Sequence, residues 1–137
     1  MLQRFAVQIA VDLMTTLPAT ADKRTVDFVI DFCKRNLSDY GLHRIYLFGS
    51  RASGTPRPNS DHDFYAIVAN SAPDGVCTSG VIHDLVYRQL LSEARAAGVG
   101  SIDLMISRDS GFNEQSAISN THANSAVDKG LIVFNEV

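Results

Sequence analysis

Cysteine is nearly missing from this chain: Cys33 and Cys77 are the only two, far apart and outside any Cys-x-x-Cys or Cys/His zinc spacing. A disulfide framework and a structural zinc site are thereby excluded, and both thiols are expected to be reduced. Positive charge is not in excess either. Twelve Lys and Arg face fifteen Asp and Glu, giving a net charge of −3 and a pI near 5.7. Without a global positive field to attract phosphates, long nucleic acid substrates are disfavoured. Long apolar runs are lacking as well. The N-terminal stretch from Leu2 to Met14 is broken by Gln3, Arg4, Gln8 and Asp12, so it is neither a signal-peptide core nor the roughly 20 apolar residues of a membrane span. The expectation is a cytoplasmic chain with no membrane role. No Gly-rich loop ends in Gly-Lys-Ser/Thr, and Gly98-Val99-Gly100 lacks the rest of a dinucleotide fingerprint, which removes P-loop ATPases and dehydrogenases.

What is there suits a compact α/β domain over residues 1–137, with 45% apolar and 20% charged residues. Phe5, Ile9, Leu13 and Leu17 recur at helical spacing up to Pro18, predicting an additional N-terminal helix within residues 1–20. A second helix is expected from Ala21 to Leu37, capped by Asp22, with Val26, Val29, Ile30, Cys33 and Leu37 on its inner face. His43 to Phe48 reads as a strand ended by Gly49, Gly54 to Ser60 as a loop, Asp61 to Val68 as a strand, and Asn70 to Gly80 as a second loop. Val81 to Ala97 is helical in period and ends at Gly98; Ser101 to Ile106 gives a third strand. Asp109 or Ser110 is expected to cap a final helical region through Val127, with Gly111 and the polar residues around Asn120 working against its continuity. Gly130 to Phe134 is a terminal strand or a buried tail. The fold expected is a small mixed β-sheet with helices packed on it.

The chemistry lies in three carboxylates on or at the start of predicted strands. Strand side chains alternate, so Asp61 and Asp63 project from one face and His62 from the other. Crowded carboxylates repel unless a cation is present. Mg²⁺ prefers oxygen ligands and is commonly shared between protein carboxylates and substrate phosphates. Asp103, between Ile102 and Leu104, needs a partner: the same metals, if a neighbouring strand brings it there, or an Arg. Two ions would suit an in-line displacement at phosphorus. Upstream, Gly49 permits a close backbone approach, Ser50 offers a hydroxyl and an amide, and the residues after them open a helix whose start favours anions. An isolated Asp-x-Asp on a strand is usually only solvated; its company here is what distinguishes it.

Gly49-Ser50, ten intervening residues, Asp61-x-Asp63 and the strand-borne Asp103 together resemble the DNA polymerase beta-like nucleotidyltransferase superfamily, and especially its minimal nucleotidyltransferase branch. The similarity is close from Leu42 to Ile106, and residues 42–106 would form the catalytic core. The segment from Ala126 to Phe134 is similar to the branch's closing segment only weakly. The resemblance implies that Gly49 and Ser50 hold the nucleotide's phosphates, that Asp61 and Asp63 bind two Mg²⁺ ions, with Mn²⁺ as a substitute, and that Asp103 shares a metal and assists deprotonation of the attacking hydroxyl. Arg51 is a candidate phosphate contact, whereas Arg57 reads as a solvated loop charge. The implied reaction transfers a nucleoside monophosphate, AMP from ATP, to a hydroxyl. Small members of the branch often act as antitoxins that adenylylate a HEPN-domain toxin, so such a protein is the implied partner. The alternatives are nucleotidylation of a small molecule such as an aminoglycoside, or a nonenzymatic module that binds nucleotide and masks a partner. A homodimer through the first helix is a further expectation.

The departures from the family pattern are His62 where an aliphatic residue is usual, Phe64 for a common Leu, and Ser53 where a basic residue is frequent. The first two read as packing changes and the third as a weaker phosphate grip. His43, His83 and His122 have no metal-ligand spacing and read as ordinary buried or surface histidines.

Overall fold

The computed structural model describes residues 16–54 and 60–136. The predicted helix from Leu2 to Leu17 and the loop arginine Arg57 lie outside the described residues, apart from the last two positions of the helix.

Helix α1 spans Lys23–Leu37 and starts where Asp22 accepts from the Thr25 amide at 3.3 Å, the expected cap. Val26, Val29, Cys33 and Leu37 of the expected inner face are buried, Ile30 is only partly so, and Phe32 is buried in addition. A 3₁₀ turn over Ser38–Tyr40 follows and leads to Gly41, whose φ of +75° reverses the chain. Strand β1, Arg44–Phe48, leads into a short helical turn α2, Ser50–Ser53. Strand β2 is His62–Val68, and after a 3₁₀ turn at Asp74–Val76 helix α3 runs Val81–Ala97, the predicted span, to Gly98 at φ +69°. Strand β3, Ile102–Arg108, continues two residues beyond the expected end.

The final helical region is two helices, α4 over Asp109–Ser116 and α5 over His122–Lys129. The break falls where the sequence weakens: Asn120 takes a φ of +66°, and Thr121 restarts the helix by accepting from the Asn124 amide at 3.0 Å. Neither Asp109 nor Ser110 is the cap of α4. Both are already helical, and the Ser110 amide is met from a distant loop by Asn70 Oδ1 at 2.8 Å. The C-terminal segment is a strand, β4, Leu131–Asn135.

The sheet is mixed, in the order β3-β2-β1-β4, with β1 antiparallel to both neighbours and β2 parallel to β3. Strand alternation divides its side chains between two cores. Ile45, Leu47, Phe64, Ala66, Val68, Leu104 and Ile106 pack with α1 and α3. Tyr46, Phe48, Tyr65 and Ile67 pack with Phe112 of α4 and with Ala123 and Ala126 of α5. On that second face Phe112 stacks on Tyr46 at 5.4 Å between centroids and meets Tyr65 edge-on at 5.0 Å. The α4–α5 pair therefore covers one end of the face. At the other end, where β2 and β3 begin, Asp61 is exposed and Asp63 and Asp103 are half-buried. Among the described residues no helix is long and apolar enough to cross a membrane.

Candidate active site

The parallel register places His62 opposite Ile102, Asp63 opposite Asp103 and Phe64 opposite Leu104. Opposed residues of paired strands share a face, so the Asp63 and Asp103 side chains emerge next to each other. Asp61, one residue before β2, falls on the same side by alternation. The antiparallel neighbour β1 ends with Phe48 opposite Asp63, which carries Gly49 and Ser50 alongside the acids.

Gly49 is demanded twice. Its φ of +76° belongs to the left-handed region, and a Cβ built on it would collide with Asp63 Oδ2. The backbone entering α2 thus runs hard against the carboxylate, with the amide of Ala52 and that of Ser53 turned back onto the Gly49 carbonyl at 3.1 Å.

The electrostatics follow from this crowding. Burial, then the charge of Asp103, then that of Asp61 push the Asp63 carboxyl up to about 6 from an ordinary 3.8, while His122 pulls the other way. A carboxyl raised by burial and by two neighbouring acids marks a place that a cation would relieve. Among the described residues no group of three or more His, Cys, Asp or Glu side chains is placed to hold a metal ion. Mg²⁺ needs only one or two protein carboxylates, its remaining positions going to water and substrate phosphate oxygens.

Two residues beside the acids have structural partners. The Arg51 guanidinium donates from Nε and Nη2 to the Ser60 carbonyl at 3.2 and 3.1 Å, and from Nη1 to the Thr20 carbonyl at 3.1 Å. It braces the far end of the loop that returns to Asp61. His62 is buried on the opposite face, where Nε2 accepts the Asp22 amide at 3.0 Å and the ring stacks on Phe64. Burial, and then Arg51, lower its pKa, keeping the imidazole neutral as that acceptor role requires. His62 is therefore more than a packing change, because it fastens the start of α1 to the strand that carries the acids.

The sequence matches the model of the family described as Polymerase beta, Nucleotidyltransferase over residues 27–123. The chain belongs to this nucleotidyltransferase family. A comparison with curated proteins finds no match. Among solved structures, this nucleotidyltransferase is similar to a crystal structure of the toxin–antitoxin MntA-HpeT bearing two Asp-to-Glu substitutions, with a TM-score of 0.53 and 19% identity over 81% of this chain and 73% of that one. It is also similar to a crystal structure of the toxin-antitoxin with AMP-PNP, with a TM-score of 0.52 and 20% identity over the same shares. At such identities the likeness is one of fold.

Sequence reading passed over two residues at this nucleotidyltransferase site. His122 opens α5 with its ring 5.8 Å from that of Phe48, near enough to Asp63 to affect its proton. Tyr87 of α3 donates to the Ile102 carbonyl beside Asp103 at 2.9 Å, and burial, then the charge of Asp103, push its phenol up. The spacing that would have revealed Tyr87 is its i, i+4 relation to His83, two polar rings on the inner side of an amphipathic helix.

Proposed function

We propose that this nucleotidyltransferase is a Mg²⁺-dependent enzyme that moves AMP from ATP to a hydroxyl of a protein partner, as an antitoxin does to a HEPN-type toxin. The observation that carries the reading is the register of Asp63 on Asp103, with Asp61 on the same side and Gly49-Ser50 alongside. Two features of the similar structures support it. One holds AMP-PNP, and the other bears Asp-to-Glu changes two positions apart, the separation of Asp61 and Asp63.

In this reading Gly49 and Ser50 bind the phosphates through the backbone and the serine hydroxyl. Asp61, Asp63 and Asp103 are the residues that would hold Mg²⁺, which supplies charge neutralisation at the transferring phosphate. The acceptor hydroxyl gives its proton to Asp103, its oxygen bonds to the α-phosphorus, and the bond to the bridging oxygen of pyrophosphate breaks. Asp103 is placed for this by its position, half-buried and in register with Asp63. Arg51 and His62 act on the shape of the site, Arg51 by holding the returning loop and His62 by fixing β2 to α1.

The test is transfer of label from α-labelled ATP with Mg²⁺ into proteins of the native host lysate. A discrete labelled band is expected with the intact chain and none with Asp61→Asn/Asp63→Asn. Equal labelling by both would sink the proposal. Label on an aminoglycoside with none on protein would move the acceptor to small molecules, and nucleotide binding without any transfer would favour a masking module.

A further inference from the structure

Among the described residues β3 is an edge strand, and its outward carbonyls include those of Ile102, Leu104 and Ile106. Each is taken by a side chain or loop group of the segment 78–87. The Tyr87 hydroxyl donates to the Ile102 carbonyl at 2.9 Å. His83 is buried, and its Nε2 lies 2.8 Å from the Leu104 carbonyl, so that nitrogen carries the proton. Thr78 donates to the Ile106 carbonyl from its amide at 2.9 Å and its hydroxyl at 3.2 Å, and accepts the Ile106 amide at 2.9 Å. The match is geometric. Four residues of helix advance about 6.0 Å and two residues of strand about 6.6 Å, so side chains four apart on α3 meet carbonyls two apart on β3. The His83 and Tyr87 rings stack with centroids 5.8 Å apart and planes 16° apart, which fixes both.

Covering an edge against pairing with other chains explains Thr78 and His83. Tyr87 does something more. It sits where Asp103 lies between two held carbonyls, and its hydroxyl holds the peptide group that leads from Ile102 into Asp103. The phenolic proton thus fixes the main chain immediately before that carboxylate. We propose that Tyr87 is a positioning residue for Asp103, setting where that carboxylate stands relative to Asp63. The proposal rests on the nucleotidyltransferase reading of the three acids.

The experiment measures Mn²⁺ affinity in the presence of AMP-PNP, turnover and thermal midpoint on the full chain, for wild type, Tyr87→Phe, Asp103→Asn, their double variant and Thr78→Val. Tyr87→Phe keeps the stacked ring and loses the hydroxyl. Its expected effects are an about 10-fold loss of Mn²⁺ affinity, as for other outer-shell partners, and a comparable fall in kcat with the KM for ATP unchanged. The double variant should bind Mn²⁺ no more weakly than Asp103→Asn alone, since the hydroxyl acts through that carboxylate. Thr78→Val loses edge hydrogen bonds away from the acids, and should lower the thermal midpoint with Mn²⁺ affinity intact. An active wild type with Tyr87→Phe matching it in Mn²⁺ affinity and kcat, or additive losses in the double variant, overturns the role of Tyr87 alone. A wild type that neither binds Mn²⁺ nor transfers label overturns the enzymatic reading and this proposal together.

Discussion

Asp63 lies directly opposite Asp103 in the parallel ladder of β2 and β3, and the backbone of Gly49 passes so close to Asp63 that no Cβ fits between them. The glycine of the sequence motif and its second aspartate are therefore one packed unit. Gly49→Ala introduces both a left-handed φ on a non-glycine residue and a clash with the carboxylate. The expected result is a loss of about 1–3 kcal/mol in denaturant unfolding, with AMP-PNP affinity falling because Asp63 is displaced. Calorimetric titration of the folded variant checks the second part, and wild-type affinity would break the link between the two residues.

The raised carboxyl of Asp63 makes stability depend on pH. The folded chain holds this proton up to about 6, whereas the unfolded chain releases it near 3.8. The contribution to stability is therefore full below 3.8 and lost as the pH rises through 6. At pH 7–8 the ionised group opposes folding, and Asp63→Asn should stabilise the protein without added metal. Because the site is half open to solvent, the expected gain is about 1 kcal/mol. It should vanish near pH 4, and thermal melts of both proteins from pH 4 to 8 decide it: a destabilised variant at pH 8 contradicts the burial and charge argument.

Much of this site is legible in the order of the residues alone. Alternation places Asp61 and Asp63 together, and the apolar strand around Asp103 marks it as an acid in need of company. The pairing of β2 with β3 in parallel register is not legible there, because that register depends on where α3 docks after a long crossover. Nor is the cap of α4, which comes from Asn70 some forty residues earlier, nor the partner of His62 at the start of α1. Periodicity describes how one element faces a core. It carries no information on which loop side chain will meet a given helix end.

Arg51 illustrates the same limit, and its role can be separated by substitution. A forked guanidinium serves the Ser60 and Thr20 carbonyls at once, and an ammonium on a flexible stem does not. Arg51→Lys should lower stability by about 1 kcal/mol, with the KM for ATP changed by less than about 3-fold, since charge is retained. A KM raised tenfold at unchanged stability would make Arg51 a phosphate contact instead of a brace.

His62 ties β2 to the start of α1, and that tie can be cut by a substitution. An aliphatic residue at this position, the usual one in the family it resembles, would fill the buried space next to Phe64 but leave the Asp22 amide without its acceptor. His62→Leu is expected to cost about 1 kcal/mol and to speed amide hydrogen exchange at Asp22 and through the first turn of α1, while exchange in the second half of the helix stays slow. Because the imidazole accepts only when neutral, acidification should reproduce the effect in the wild type. Its pKa is already lowered by burial and by Arg51, so the stability lost through this group appears only below the ordinary histidine range. Exchange at Asp22 that is unchanged in the variant and flat with pH would show that the hydrogen bond does not hold the helix start.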